Sequence, residues 1–302
     1  MCARRMHADE IETDVALVAR LLAAQFPRWA RLPIVPVESS GTDNAIYRLG
    51  AELAVRLPRR ESTAGQPAKE QRWLPRFAAL LPLAIPEPLA LGEPGEGYPW
   101  QWSVCRWLPG ENATVAPIAD LVETAVRLAA FLAALHRIDA REGPPPGAHN
   151  FGRGAPLATR DAATRQAIAR LGDELDLDTV TAAWERAVRA PGWDGPPRWI
   201  HGDPYPANLL VEDGRLSGVI DFGCLGVGDP ACDLLSAWTL FSGESRAAFR
   251  AALAVDDATW ERGRGWVLSG ALIALPYYRD TNPVLVRQSR RAIAALLAEP
   301  AS

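Results

Sequence analysis

The chain has 302 residues, 48% hydrophobic and 23% charged, with a formal net charge of −4. These proportions exclude a disordered or fibrous protein, and the length allows one large domain or two lobes. The chain lacks the basic surplus that holds proteins on a phosphate backbone, so nucleic acid is not an expected partner.

The amino terminus carries Arg4 and Arg5 without an apolar stretch behind them. No later run reaches the ~18–20 apolar residues of a membrane span, so a cytoplasmic protein without membrane partners is expected. Apolar residues Ile11, Val15, Val18 and Leu22 predict an amphipathic helix over 9–25, ending before Pro27. "IVPVES", "AIYRL" and "LAVRLP" follow as short β-rich runs separated by turn formers, the pattern of an antiparallel meander. A helix is predicted around 67–80, and two more strand-like runs end at "WQWSVCRW". The longest apolar stretch, "FAALLPLAIPEPLALG", is interrupted by Pro82, Pro86 and Pro88.

At "LPGENATVAP" the pattern shifts from strands to helices, which divides the chain into an N-terminal lobe, 1–107, and a C-terminal lobe, 108–302. A long helix is predicted over 117–138, with Pro117 in its first turn. "GPPPGAHNFGRG" reads as loop, with helices near 160–171 and 177–189, then near 231–241, 245–275 with a break, and 282–298. Cys2, Cys105, Cys224 and Cys232 show no metal-binding spacing and read as reduced thiols.

The chemistry concentrates in "HGDPYPANLLV" and "GVIDFG". Asp203 and Asn208 are five positions apart, and Asp221, in a DFG triplet, follows Asn208 by thirteen. Phosphoryl transfer uses these spacings: one aspartate orients the acceptor hydroxyl and takes its proton, while an asparagine and a second aspartate supply hard oxygens to Mg²⁺. "NLLV" and "LSGVI" flank the turn "EDGR" as a hairpin. Singly, such Asp and Asn residues would be turn or cap formers; together with His201 and the DFG triplet they read as catalytic. His201 reads as a brace for the loop, and Asp229 and Asp233 as braces or helix caps.

These motifs resemble the aminoglycoside phosphotransferase family, small-molecule kinases with a protein-kinase-like fold. His201, Gly202, Asp203, Asn208, Ile220 and Asp221 stand in the family's order, followed by "GDPACDL". Protein kinases proper match less well, because glycine at 202 replaces their arginine and no APE follows DFG. The resemblance implies an α+β bilobal fold, with an antiparallel N-lobe sheet and a mostly helical C-lobe carrying the catalytic-loop hairpin. It implies Arg56 as the phosphate-contacting cation, with Glu70 as its carboxylate partner. Arginine replaces the lysine of many kinases, and a surface arginine is the alternative. Ser40 and Gly41 would cover the phosphates or form a plain hairpin turn, and Cys105 to Trp107 would form the hinge facing the nucleobase.

The implied activity is transfer of the γ-phosphoryl group of ATP or GTP, with Mg²⁺, to a hydroxyl of a small-molecule acceptor. An aminoglycoside- or macrolide-like antibiotic is the expected acceptor, which would make the chain a resistance enzyme. A metabolite kinase acting on an amino alcohol or sugar, and a non-catalytic nucleotide-binding regulator, are the alternatives. Candidate acceptor contacts are acidic: Asp173, Glu174, Asp176 and Asp178, then Asp256, Asp257 and Glu261. Acidic runs also serve as solvated helix faces. "LPYYRDTNP", with Tyr277 to Asp280, could line a pocket or finish a core.

Overall fold

The computed structural model describes residues 10–37 and 43–299. The chain divides into two compact units, 1–110 with 218–223, and 111–217 with 224–302. This differs from a single cut at 107/108 in that a six-residue stretch of the back half, containing the DFG triplet, belongs to the first unit.

In the first unit, α1 (Val15–Gln25) begins at Asp14, whose carboxylate accepts the Leu17 N–H at 2.7 Å. Its buried face, Leu17, Val18, Leu21 and Leu22, joins Tyr47, Val55, Leu57, Tyr98, Trp102 and Val104 in one core. Strands β1 (Ile34–Pro36), β2 (Asn44–Leu49), β3 (Leu53–Pro58), β4 (Pro88–Gly92) and β5 (Trp102–Arg106) form an antiparallel sheet of order β1-β2-β3-β5-β4. The central strand β3 is buried at every position, so Arg56 is held within the unit. Helix α2 (Gln66–Phe77) packs on β3 and β4 and carries Lys69 and Glu70. Gly218–Gly223 attaches to this unit through the Val219 N–H, which donates to Ala84 O at 2.9 Å.

The second unit is mostly helical. The short strand β6 (Glu111–Asn112) precedes α3 (Leu121–Arg137). Asp120 caps α3 by accepting from Val122 N and Glu123 N, so the helix starts four residues beyond Pro117, which lies outside it. A cap that satisfies two orphan N–H groups outweighs the preference of proline for a first turn. Helices α4 (Asp161–Leu171) and α5 (Leu177–Arg189) follow. Strand β7 (Arg198–Ile200) pairs with β10 (Gly226–Gly228), and β8 (Leu209–Glu212) lies between β6 and β9 (Arg215–Val219). The β8–β9 turn places Asp213 and Gly214 at φ 51° and 78°, the two positive values of a type I′ hairpin. Where a helix was expected over 231–241, a buried 3₁₀ turn, Pro230–Leu234, precedes the single-turn α6 (Ser236–Thr239). Helices α7 (Gly243–Leu253), α8 (Asp257–Tyr278) and α9 (Pro283–Leu297) complete the unit. The buried helix α8 packs on α4, α5 and α9.

The expected α+β class, with an antiparallel sheet first and helices second, is the one observed. Cys105, Cys224 and Cys232 are buried free thiols, and Cys2 lies outside the described residues. Among the described residues no helix is long and apolar enough to cross a membrane.

Candidate active site

Two constellations carry the residues predicted for phosphoryl transfer, one in each unit. In the second unit, β7 leads directly into His201–Asn208. His201 is completely buried, and its Nδ1 accepts the Asp203 backbone N–H at 3.2 Å, so this nitrogen is the unprotonated one. The N–H groups of His201 and Gly202 donate to the Asp233 carboxylate at 3.2 and 2.6 Å, and His136 Nε2 meets it at 2.8 Å. Asp233 thus fixes the backbone that presents Asp203. Gly202 has φ 79°, and a Cβ there would stand 2.8 Å from Cys224 O. The loop therefore demands glycine where protein kinases carry arginine.

The Asp203 carboxylate accepts from Arg153 Nη2 at 3.3 Å and from Asn208 Nδ2 at 3.0 Å. Asn208 Nδ2 also donates to Asp203 O at 2.9 Å, which commits the amide nitrogen to the loop and leaves Oδ1 as the outward acceptor. With its side chain 27% exposed, Asp203 is braced yet reachable. Asp229 is committed elsewhere. It caps the 3₁₀ turn at Ala231 N and takes a forked pair of bonds from Arg262, Nε at 2.7 Å and Nη2 at 3.1 Å. A cavity of about 340 Å³, lined by Leu157, Ala187, Trp193 and Arg262 among others, contains none of the predicted catalytic groups.

In the first unit, Arg56 on β3 pairs through Nη1 with Glu70 Oε2 on α2, and its Nη2 lies 3.7 Å from Asp221 Oδ1. Burial alone would lower the Arg56 pKa, but the carboxylates of Glu70 and Asp221 raise it above the ordinary arginine value and hold the group charged. Arg56 is a buried, paired cation, which removes the surface-arginine alternative. Asp221 has φ 63°, in the left-handed region that aspartate reaches more cheaply than most residues. Its Oδ1 accepts the Gly223 N–H at 3.3 Å, while Lys69 Nζ donates to Gly223 O at 2.6 Å. The DFG segment is thereby tied to α2.

Ser40 and Gly41 lie outside the described residues. Cys105 and Trp107 sit at the end of β5, and the Trp107 N–H already donates to Glu52 O at 2.7 Å. The Trp107 ring carries the Arg48 guanidinium at 4.4 Å from its centroid. Burial raises the Cys105 thiol to about 11, against the pull of Arg56, so it stays protonated.

The predicted acidic contacts are largely engaged by the protein itself. Glu174 pairs with Arg279 and Arg290, and Glu261 with Arg186 and Arg264. Asp176 and Asp256 cap α5 and α8, and Asp257 pairs with Arg250. Nothing is described of the Asp173 side chain. Tyr277 is exposed rather than part of a core. Sequence reasoning missed Arg153, Arg160, Tyr205 and Trp266 around Asp203, and Lys69 behind Gly223. No local spacing marks Arg153, Arg160 and Trp266, because they arrive from separate loops and helices, whereas Tyr205 lies within the catalytic loop itself and Lys69 stands next to Glu70.

A sheet-bearing unit that pairs a buried cation with an aspartate, and a helical unit that presents a braced aspartate beside an asparagine, belong to the class of kinase-like folds. The chain is a member of the phosphotransferase enzyme family (APH), whose model matches residues 34–266. The uncharacterized protein YcbJ of Bacillus subtilis is 26% identical over 215 residues, which span 66% of each chain, just under two thirds. The GDP complex of wild-type aminoglycoside 2'-phosphotransferase-IIIa matches with a TM-score of 0.73 at 18% identity, over 95% of this chain and 99% of that one. The apoenzyme of macrolide 2'-phosphotransferase MphH from Brachybacterium faecium matches with a TM-score of 0.60 at 26% identity, over 96% and 100%.

Proposed function

We propose that the protein is a magnesium-dependent O-phosphotransferase that moves the γ-phosphoryl group of ATP or GTP to a hydroxyl of a small molecule. The observation that carries this reading is the catalytic loop: Asp203 is reachable, oriented by two donors and fixed through Asp233. Asp203 orients the acceptor hydroxyl and takes its proton as the oxygen–phosphorus bond forms and the β–γ bridging bond breaks. Asn208 Oδ1 and the Asp221 carboxylate are each a hard oxygen of the kind Mg²⁺ prefers and would be its protein ligands, the ion taking only one or two from protein when phosphates and water supply the rest. Mg²⁺, when bound with nucleotide, neutralises phosphate charge. Arg56, steadied by Glu70, adds a fixed positive charge toward the phosphates. Cys105 and Trp107 are the candidates beside the nucleobase, and Ser40 and Gly41 for the phosphate loop.

For the acceptor, likeness to the aminoglycoside and macrolide phosphotransferases suggests an antibiotic, and with it a role in resistance. The second reading, a metabolite kinase, is favoured by one observation: the carboxylates that would meet a polycation are mostly spent on arginines and helix caps. The intact loop and the Arg56–Glu70 pair speak against a non-catalytic regulator.

The test is nucleoside diphosphate release with Mg²⁺ across antibiotic and metabolite acceptors, in wild type and Asp203→Asn. Loss of the base is expected to lower kcat by ~10²–10⁴-fold. An Asp203→Asn variant with wild-type kcat would refute the assignment.

A further inference from the structure

Beside Arg153, which already orients Asp203, the second unit holds a further cation, Arg160, that the phosphoryl-transfer roles leave unused. Arg153, from the loop before α4, reaches Asp203 Oδ1 with Nη2, while its Nε is buried without a hydrogen-bond partner. Arg160, seven residues later, donates from Nε to Ser269 Oγ at 2.8 Å, and Ser269 shares a hydrogen bond with Thr164 at 2.7 Å. The two guanidinium groups share one aromatic ring, that of Trp266, at 5.7 and 5.1 Å from its centroid, and Trp266 Nε1 is itself a buried donor without a partner.

Arg160 has no carboxylate partner among the described residues. Burial and the neighbouring charge of Arg153 push its pKa down to about 10, against a smaller upward pull from Tyr205. The Trp266 ring offsets part of this cost. A half-buried cation without a carboxylate partner, beside a second cation and two buried donors without partners, favours an anion at this place. Arginine suits that task, because its planar fork meets a carboxylate or phosphate through two parallel bonds.

We infer that this cluster is the anion-binding part of the acceptor site, and that the acceptor carries a carboxylate or phosphate group besides the hydroxyl that is phosphorylated. Arg160 binds the anion, and Arg153 lies at the edge shared with Asp203. The inference rests on the phosphotransferase reading for the role of Asp203, and it names an acceptor class opposite in charge to an aminoglycoside.

The experiment compares matched probes on one carbon skeleton: gluconate and glucose 6-phosphate as anions, glucose as the neutral form and glucosamine as the cation. Binding is measured by calorimetry on the full chain without nucleotide, and turnover with Mg–ATP and Mg–GTP. At least one anionic probe is expected to bind tenfold or more tightly than glucose, with glucosamine weakest, and the better anion tells carboxylate from phosphate. Arg160→Gln should remove the preference by weakening the anion tenfold or more while glucose is unchanged, and Arg160→Lys should restore part of it. Should Arg160→Gln fail to fold, the wild-type ranking alone decides. Equal or tighter binding of glucose or glucosamine, or no anion binding at millimolar concentration, overturns the inference. Arg160-dependent anion binding without transfer from either nucleotide sustains this inference and sinks the phosphotransferase reading instead.

Discussion

At the scale of single residues, Asp221 shows how backbone and chemistry are joined. Its positive φ of 63° lies where aspartate and asparagine are tolerated, whereas most side chains cost ~1–2 kcal/mol there. Asp221→Ala would therefore mix backbone strain with the loss of a ligand oxygen. Asp221→Asn keeps the conformation and removes the charge. It should retain the wild-type Tm within a few degrees, while the magnesium concentration for half-maximal turnover rises by ~10–100-fold or more. Magnesium titrations of the initial rate measure this, and an unchanged requirement would remove Asp221 from the metal assignment. Asp203, Asn208 and Asp221 could be proposed from the sequence because the roles proposed for them rest on spacing along one short stretch of chain. Arg160 could not, since its position beside Trp266 and Ser269 is set by the packing of α4 against α8, which no local pattern records.

At the scale of elements, one face of α8 links several of these groups. Arg262, Trp266 and Ser269 lie at i, i+4 and i+7, so they form a single stripe. Its first member holds Asp229 and its last holds Arg160. Arg262 and Asp229 are each at most 5% exposed. Removing one partner of such a buried pair leaves an uncompensated charge, so Arg262→Ala is expected to cost ~3–5 kcal/mol. The urea midpoint of the transition followed by tryptophan fluorescence checks this, and a loss below about 1 kcal/mol would mean that Asp229 finds another partner. The periodicity of the sequence located α4, α5, α8 and α9 well. It placed the start of α3 too early and gave a helix at 231–241, where the Asp229 cap and the burial of Asp233 under the catalytic loop produce a 3₁₀ turn. Hydrophobic spacing records which face is buried, but not which backbone groups a side chain must satisfy.

For the whole molecule, sequence order and folding units part company. The shift in composition near Gly110 is visible in the sequence, because strands give way to helices there. The membership of Gly218–Gly223 is not, since it depends on the Val219 N–H meeting Ala84 O and on Lys69 Nζ meeting Gly223 O. A fragment of residues 1–110 would keep the five-stranded sheet but lose both contacts and the Asp221 charge beside Arg56. Hydrogen exchange in α2 is expected to be faster in that fragment than in the full chain, and equal protection would show that the six residues contribute nothing to the unit.

That division also constrains how the protein can be recombined. A chimera that exchanges the front third alone between relatives would seat a foreign strand and helix against a native DFG strip, so the residues at 56 and 69 and the strip they contact would come from different proteins. Swaps that carry the strip with the sheet preserve this fit, so crossover points belong at 110, 217 and 223 together.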